Sequence, residues 1–151
     1  MTEALVIDAS VAVQWVLPES FSAKATALLT EATSAKKRLV CPPHLKVEVC
    51  NAIYQQLRRG NLTPAEAEES ITTFLSFELT VCSPARLYQH AFVLARSVPL
   101  PTIYNSCYVA LSELLQIPLW TADQRLRNAL GSRYPQVRWI GEYPMPTAEA
   151  E

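Results

Sequence analysis

Apolar residues occur in this chain with two spacings. Short runs, Ala4-Leu5-Val6-Ile7, Arg38-Leu-Val-Cys41, Leu79-Thr-Val-Cys82, Ile117-Pro-Leu-Trp-Thr-Ala122 and Val137-Arg-Trp-Ile140, are separated by stretches where apolar side chains recur every three or four positions. The first pattern predicts strands, the fully apolar ones buried on both faces as in a parallel sheet; the second predicts helices with one buried face. Ser10–Leu17 reads as a short helix ended by Pro18. Ser20–Lys36 reads as a second helix, with Phe21, Ala25, Leu28 and Leu29 on one face. After Pro42-Pro43, His44–Arg59 is helical and Gly60 is its natural stop. Thr63 caps the next helix, with Pro64 in its first turn and Glu66 placed to close a capping box; that helix runs to about Phe77. Ser83-Pro84 opens a helix to about Ser97, and Val98-Pro-Leu-Pro101 is a rigid turn. Thr102–Gln116 follows with Tyr104, Tyr108, Leu111 and Leu115 at helical spacing, and Asp123–Leu130 is a short helix stopped by Gly131.

This alternation predicts an α/β fold: a three-layer α/β/α sandwich with a central parallel sheet of four to five strands. Right-handed crossovers would bring the carboxyl ends of all the strands to one edge. No internal repeat or linker interrupts the pattern, so residues 1–143 are expected to form one domain and 144–151 a frayed tail.

Composition narrows the function classes. Half of the 151 residues are hydrophobic and 18% are charged, which excludes a disordered chain. The net charge of −1 excludes bulk attraction to polyanions, so contact with nucleic acid needs a local patch or a bound cation. Lys36-Lys37-Arg38 suits the negative end of a helix dipole. Glycine at positions 60, 131 and 141 alone leaves no phosphate-binding or dinucleotide fingerprint. Cys41, Cys50, Cys82 and Cys107 form no C-x-x-C pair and lie among apolar neighbours, as reduced core thiols of a cytoplasmic protein would. Met1-Thr2-Glu3 is not a basic leader, and no apolar run is long enough to span a bilayer.

The candidate chemistry is acidic. Asp8 and Asp123 each follow a strand directly and so fall on the same sheet edge, where open α/β sheets bind ligands. Each also reads as an N-cap, since a helix follows it. Glu48 lies on a helix between apolar Leu45 and Ala52, at a boundary or pointing into a cleft. Asn51, one turn on, is placed to hold it. Carboxylates gathered at ~4 Å would repel by about 4 kcal/mol per pair at an effective dielectric of ~20. A divalent cation removes that cost, and hard oxygen ligands suit Mg²⁺ or Mn²⁺. No Ser/His/Asp set competes, and His44 and His90 read as structural.

Four pieces of the chain resemble the PIN-domain family, most of all its VapC-type toxins of toxin–antitoxin pairs: Val6-Ile-Asp8-Ala-Ser10, Glu48-Val-Cys-Asn51-Ala, Thr102-Ile-Tyr-Asn105-Ser-Cys-Tyr108-Val-Ala-Leu111 and Pro118-Leu-Trp-Thr121-Ala-Asp123-Gln-Arg125-Leu126. Each piece is weak alone; their order and spacing, from Leu5 to Ile140, are fairly specific. The resemblance implies a Mg²⁺-dependent ribonuclease that dimerises and is silenced by a small antitoxin protein. It carries the family's acidic positions onto Asp8, Glu48 and Asp123, and its supporting hydroxyls onto Ser10 and Thr121. One position departs from the pattern: Asn105 stands where the family has an aspartate, keeping a carbonyl oxygen but losing the charge.

The expectation is therefore a metal site built from Asp8, Glu48 and Asp123 with Asn105 as a neutral fourth group. Arg125 would hold the RNA backbone; Arg58 and Arg59 are further candidates, though they read more readily as a solvated helix end. Trp15, Phe74 and Phe77 would supply apolar surface for a homodimer. The alternative is a PIN module, weakened by Asn105, that binds RNA or an antitoxin without efficient cleavage. A phosphoryl-transfer enzyme with an aspartyl nucleophile at Asp8 is disfavoured, because Ser10 occupies the place of its second acid and no lysine follows a later strand.

Overall fold

Strand β1 (Ala4–Ile7) lies at the centre of a five-stranded parallel sheet in the computed structural model, which describes residues 3–145. It pairs on one side with β2 (Arg38–Cys41) and on the other with β4 (Leu119–Thr121). Two-residue β3 (Thr80–Val81) and β5 (Val137–Trp139) form the edges, giving the order β3-β2-β1-β4-β5. Its central place accounts for the apolar run in β1: Leu5, Val6 and Ile7 are all buried, since layers cover both faces of the sheet.

The helices are α1 (Ala9–Ala12), α2 (Ser22–Ser34), α3 (Leu45–Arg58), α4 (Pro64–Ser76), α5 (Leu87–Ser97), α6 (Ile103–Leu115) and α7 (Gln124–Leu130). The chain winds from β1 through β2 to β3 in one direction, then returns past β1 to β4 and β5. Right-handed crossovers then put α1–α4 on one face and α5–α7 on the other, completing three layers. The reversal makes the gap between the ends of β1 and β4 a topological switch point, the favoured ligand crevice of such sheets.

Local signals hold to within a few residues. The Thr63–Glu66 capping box forms in both directions, with Pro64 at the first helical position. The expected helix at Ser10–Leu17 is shorter: four residues of α-helix pass into a 3₁₀ turn over Val13–Trp15. Helix α6 is buried at seven successive positions, Ser106–Ser112, and packs on β1 and α5. Cys41 and Cys107 are buried, whereas Cys50 and Cys82 are half-buried, and all four thiols are unpaired. The described residues continue through Pro144 and Met145, which are exposed; the remainder of the expected tail, 146–151, lies outside them.

The apolar surplus assigned to a dimer face needs correction. Phe74 is 1% exposed, locked in the core by α4, and the Trp15 and Phe77 rings pack edge-to-face on each other at 5.5 Å. Exposed apolar side chains lie instead at Tyr88, Phe92 and Val93 on α5 and at Val47 and Tyr54 on α3. Phe74→Ala is expected to cost about 3–5 kcal/mol in urea unfolding, as for other large core truncations. That loss should be independent of protein concentration; a loss that grew on dilution would return Phe74 to an interface.

Candidate active site

Asp8 leaves β1 in an extended conformation and caps α1, its Oδ1 accepting the Val11 N–H at 3.2 Å. Ser10 Oγ donates to the same oxygen at 2.5 Å. Having spent its proton there, Ser10 acts as acceptor for the Ala122 N–H at 2.9 Å and stands 3.4 Å from Thr121 Oγ1. Thr121, fully buried, accepts the Asp123 N–H at 3.0 Å. Asp123 Oδ1 in turn accepts from Arg125 N and Leu126 N and caps α7. A single run of hydrogen bonds thus joins the ends of β1 and β4, from Asp8 through Ser10 and Thr121 to Asp123.

Both aspartates are caps, as the simpler reading of each allowed, and capping leaves each a free oxygen. The hydrogen bonds fall on Oδ1 in both cases. Asp8 is 4% exposed, and burial pushes its carboxyl up to about 6. The Ser10 and Thr121 hydroxyls and the Val11 N–H oppose that push, and the Glu48 charge adds slightly to it.

Glu48 reaches the same edge from the first turn of α3. Its Oε1 accepts the Tyr108 hydroxyl at 2.7 Å and lies 3.1 Å from His44 Nε2. That nitrogen is also 3.3 Å from the Tyr104 carbonyl, another acceptor, so Nε2 carries the proton. Tyr108 is 1% exposed; burial first, then the bond to Glu48, holds its hydroxyl protonated well above the ordinary range. Asn105, half-buried, stands on α6 one turn before Tyr108.

Two expectations change. Asn51 does not hold Glu48: it is exposed, and its side-chain oxygen accepts from Gln55. His44, read as merely structural, and Tyr108 take that role. Arg58 and Arg59 are exposed at the far end of α3, roughly 15 Å along the helix from Glu48 at 1.5 Å per residue, and behave as a helix end. Arg125 is exposed directly beside Asp123. His44 carried a legible signal, since it precedes Glu48 by four residues on the same helical face. Tyr108 lies 60 residues from Glu48 and gave no local sign of that contact.

The hydroxyls of Ser10 and Thr121 therefore link the Asp8 carboxylate to the backbone at Asp123, and Asp8 and Glu48 are coupled through the field each exerts. Among the described residues no three His, Cys, Asp or Glu side chains stand close enough to hold a metal ion by themselves. A concavity of about 730 Å³ lies elsewhere, at the opposite sheet edge around Ala4, Pro118 and Arg38. Its acids Glu3 and Glu31 pair with Lys37, so it carries none of this chemistry.

No protein-family model matches the chain. It is 32% identical over 127 residues to Ribonuclease VapC12 of Mycobacterium tuberculosis, covering 84% of this chain and 92% of that one. The chain belongs to the VapC family of PIN-domain ribonucleases. A second VapC-family relative, Ribonuclease VapC3 of Pyrobaculum aerophilum, is 33% identical over 124 residues, covering 81% and 91% of the two chains. The crystal structure of PAE2754 from Pyrobaculum aerophilum superposes with a TM-score of 0.68 at 19% identity, covering 93% of each chain, which shows the shared fold.

The raised Asp8 acid makes a prediction about this VapC-family chain without metal. An acid that binds its proton more tightly folded than unfolded loses stability as pH rises, here between about 4 and 6. The full cost, roughly 3 kcal/mol, is present at neutral pH. Asp8→Asn keeps the cap and the Ser10 bond. Denaturation in chelator should find it more stable than the unchanged chain near pH 7, by up to that amount. The advantage should vanish near pH 4.

Proposed function

We propose that the chain is a metal-dependent endoribonuclease, the toxin of a toxin–antitoxin pair, cutting RNA phosphodiester bonds at the switch point between β1 and β4. The observation that carries this reading is Asp8, a buried carboxylate at that point with one oxygen left free and its acid held near 6. A desolvated carboxylate of this kind is costly unless it faces a ligand.

The donor set fits a hard divalent cation, Mg²⁺ or Mn²⁺. Asp8, Asp123 and Glu48 would hold it, with the Asn105 carbonyl as a neutral fourth donor, some through bridging water. When bound, the cation neutralises charge on the phosphate and lowers the pKa of a water. The protein's own groups do the rest. Ser10 fixes the Asp8 carboxylate, and the Arg125 and Leu126 N–H groups fix that of Asp123. The Tyr108 hydroxyl fixes Glu48 Oε1, with His44 Nε2 3.1 Å from the same atom, leaving the second oxygen to orient or accept a proton from the attacking water. Arg125 beside Asp123 supplies the local positive charge that a near-neutral chain needs for phosphates.

A second reading has its own support. Asn105 removes one negative charge from the edge, and no three described side chains form a ready cage. A site so weakened would bind RNA or an antitoxin and cut slowly. The partners proposed are an RNA substrate, a small antitoxin protein whose tail covers the acidic edge, and a second copy of the chain. Exposed Tyr88 and Phe92, one turn apart on α5, offer apolar surface for the dimer. The unpaired thiols suit the reducing cytoplasm, and no described helix is long and apolar enough to cross a membrane.

The deciding experiment is Asn105→Asp with Mn²⁺ on a mixed RNA pool. We expect cleavage to rise on the order of 100-fold, the scale of one acid–base group, and to vanish when Asp8→Asn is added. Equal metal-dependent cleavage with and without Asn105→Asp would show that a carboxylate here is dispensable. Arg125→Ala should lower RNA affinity and reduce the salt slope by about one; an unchanged slope would remove Arg125 from the RNA surface.

A further inference from the structure

Tyr104 is 61% exposed, an unusual place for an aromatic ring directly preceding the site residue Asn105. The ring does not float free. Its backbone carbonyl accepts from His44 Nε2 at 3.3 Å, and the two ring centroids are 5.7 Å apart with their planes tilted by 49°. His44 packs next on Tyr108 at 4.9 Å, and its Nε2 stands 3.1 Å from Glu48 Oε1. The three rings form a row from the buried floor of the site, at Tyr108, to the solvent, at Tyr104. Neighbouring Ile103 is exposed as well, so the outer ring stands on an apolar rim.

The electrostatics say what such a rim is for. A chain of net charge −1, with three carboxylates on one edge, gains little from phosphate attraction. Affinity for a single strand must come in part from a term that carries no charge. Base–aromatic stacking is that term, and it tolerates any base because each has a π-face. A ring held at its backbone, with its outer face open, is prepared for it at small entropic cost.

Resting on the ribonuclease reading, we propose that Tyr104 is a stacking platform for an unpaired base of the RNA strand, seated beside the phosphate to be cut. His44 is its positioning residue, tying the platform to Glu48. The ring reads shape rather than hydrogen bonds, so it favours purines over pyrimidines only through stacking strength.

The test is binding, measured in chelator so that nothing is cut. Fluorescein-labelled single-stranded oligoadenylate and oligouridylate are titrated with the unchanged chain and with Tyr104→Ala, Tyr104→Phe and Tyr104→Trp, all checked for the same thermal midpoint. Tyr104→Ala should weaken oligoadenylate binding roughly 5- to 100-fold, the range of one lost stack, and erase the preference over oligouridylate. Tyr104→Phe and Tyr104→Trp should restore it, because the ring and not the hydroxyl is used. The salt slope should stay the same throughout, unlike that of Arg125→Ala. Unchanged affinity in Tyr104→Ala, or no rescue by Tyr104→Phe, overturns the platform while RNA binding by the unchanged chain stands. No binding of either strand by the unchanged chain in chelator, and none with Mg²⁺ on an Asp8→Asn background that blocks cleavage, overturns the ribonuclease reading and the platform together.

Discussion

The Asp8 carboxylate closes β1 where water has almost no access, and the hydrogen bonds that keep it there also join the two strands flanking the switch point. Ser10 bridges the two, giving its proton to Asp8 and receiving the Ala122 N–H from beyond β4. The same short segment therefore ends a central strand, starts a helix and fixes the register of one sheet edge. Burial raises the energy of the charged acid, and the surrounding hydroxyls recover only part of it. Folding tolerates this because Leu5, Val6 and Ile7, buried on both faces, anchor the segment from below. A fold that keeps such a group gives up stability at that edge.

The other half of the edge is built differently. Glu48 is held by side chains from another element and from its own helix, Tyr108 and His44. Tyr108 belongs to α6, the most deeply buried helix, so Glu48 takes its position from the core. Asn105 lies one turn earlier on that helix. A substitution in α6 can thus reach the acidic edge in two ways, through the donor at 105 or through the anchor at 108. Asp8 touches both halves, through Ser10 on one side and the field of Glu48 on the other.

Much of this was written in local sequence. Apolar runs bounded by proline and polar residues gave the strands, and the Thr63-Pro64-Glu66 pattern gave a cap that forms as read, because each depends on residues within one turn of each other. The strand-end positions of Asp8 and Asp123, and so their shared edge, followed from alternation and handedness alone. What periodicity cannot tell is which apolar surface is left over. Phe74 looks like a surplus ring on a helix, and only the packing of α4 against the core shows that it is spent within the chain.

Side-chain partnership was decided by tertiary structure in the same way. Asn51 was the reasonable holder of Glu48 by helical spacing, but it faces solvent, and a tyrosine 60 residues away takes its place. The sequence by itself determined the elements, their order and the acids at their ends, because those rest on short-range periodicity and a fixed chirality. Only the tertiary structure decided which oxygen of each acid stays free, which groups hold it and that Asp8 is driven toward neutrality. Those properties depend on burial and on contacts between segments far apart in the chain, and no local pattern encodes them.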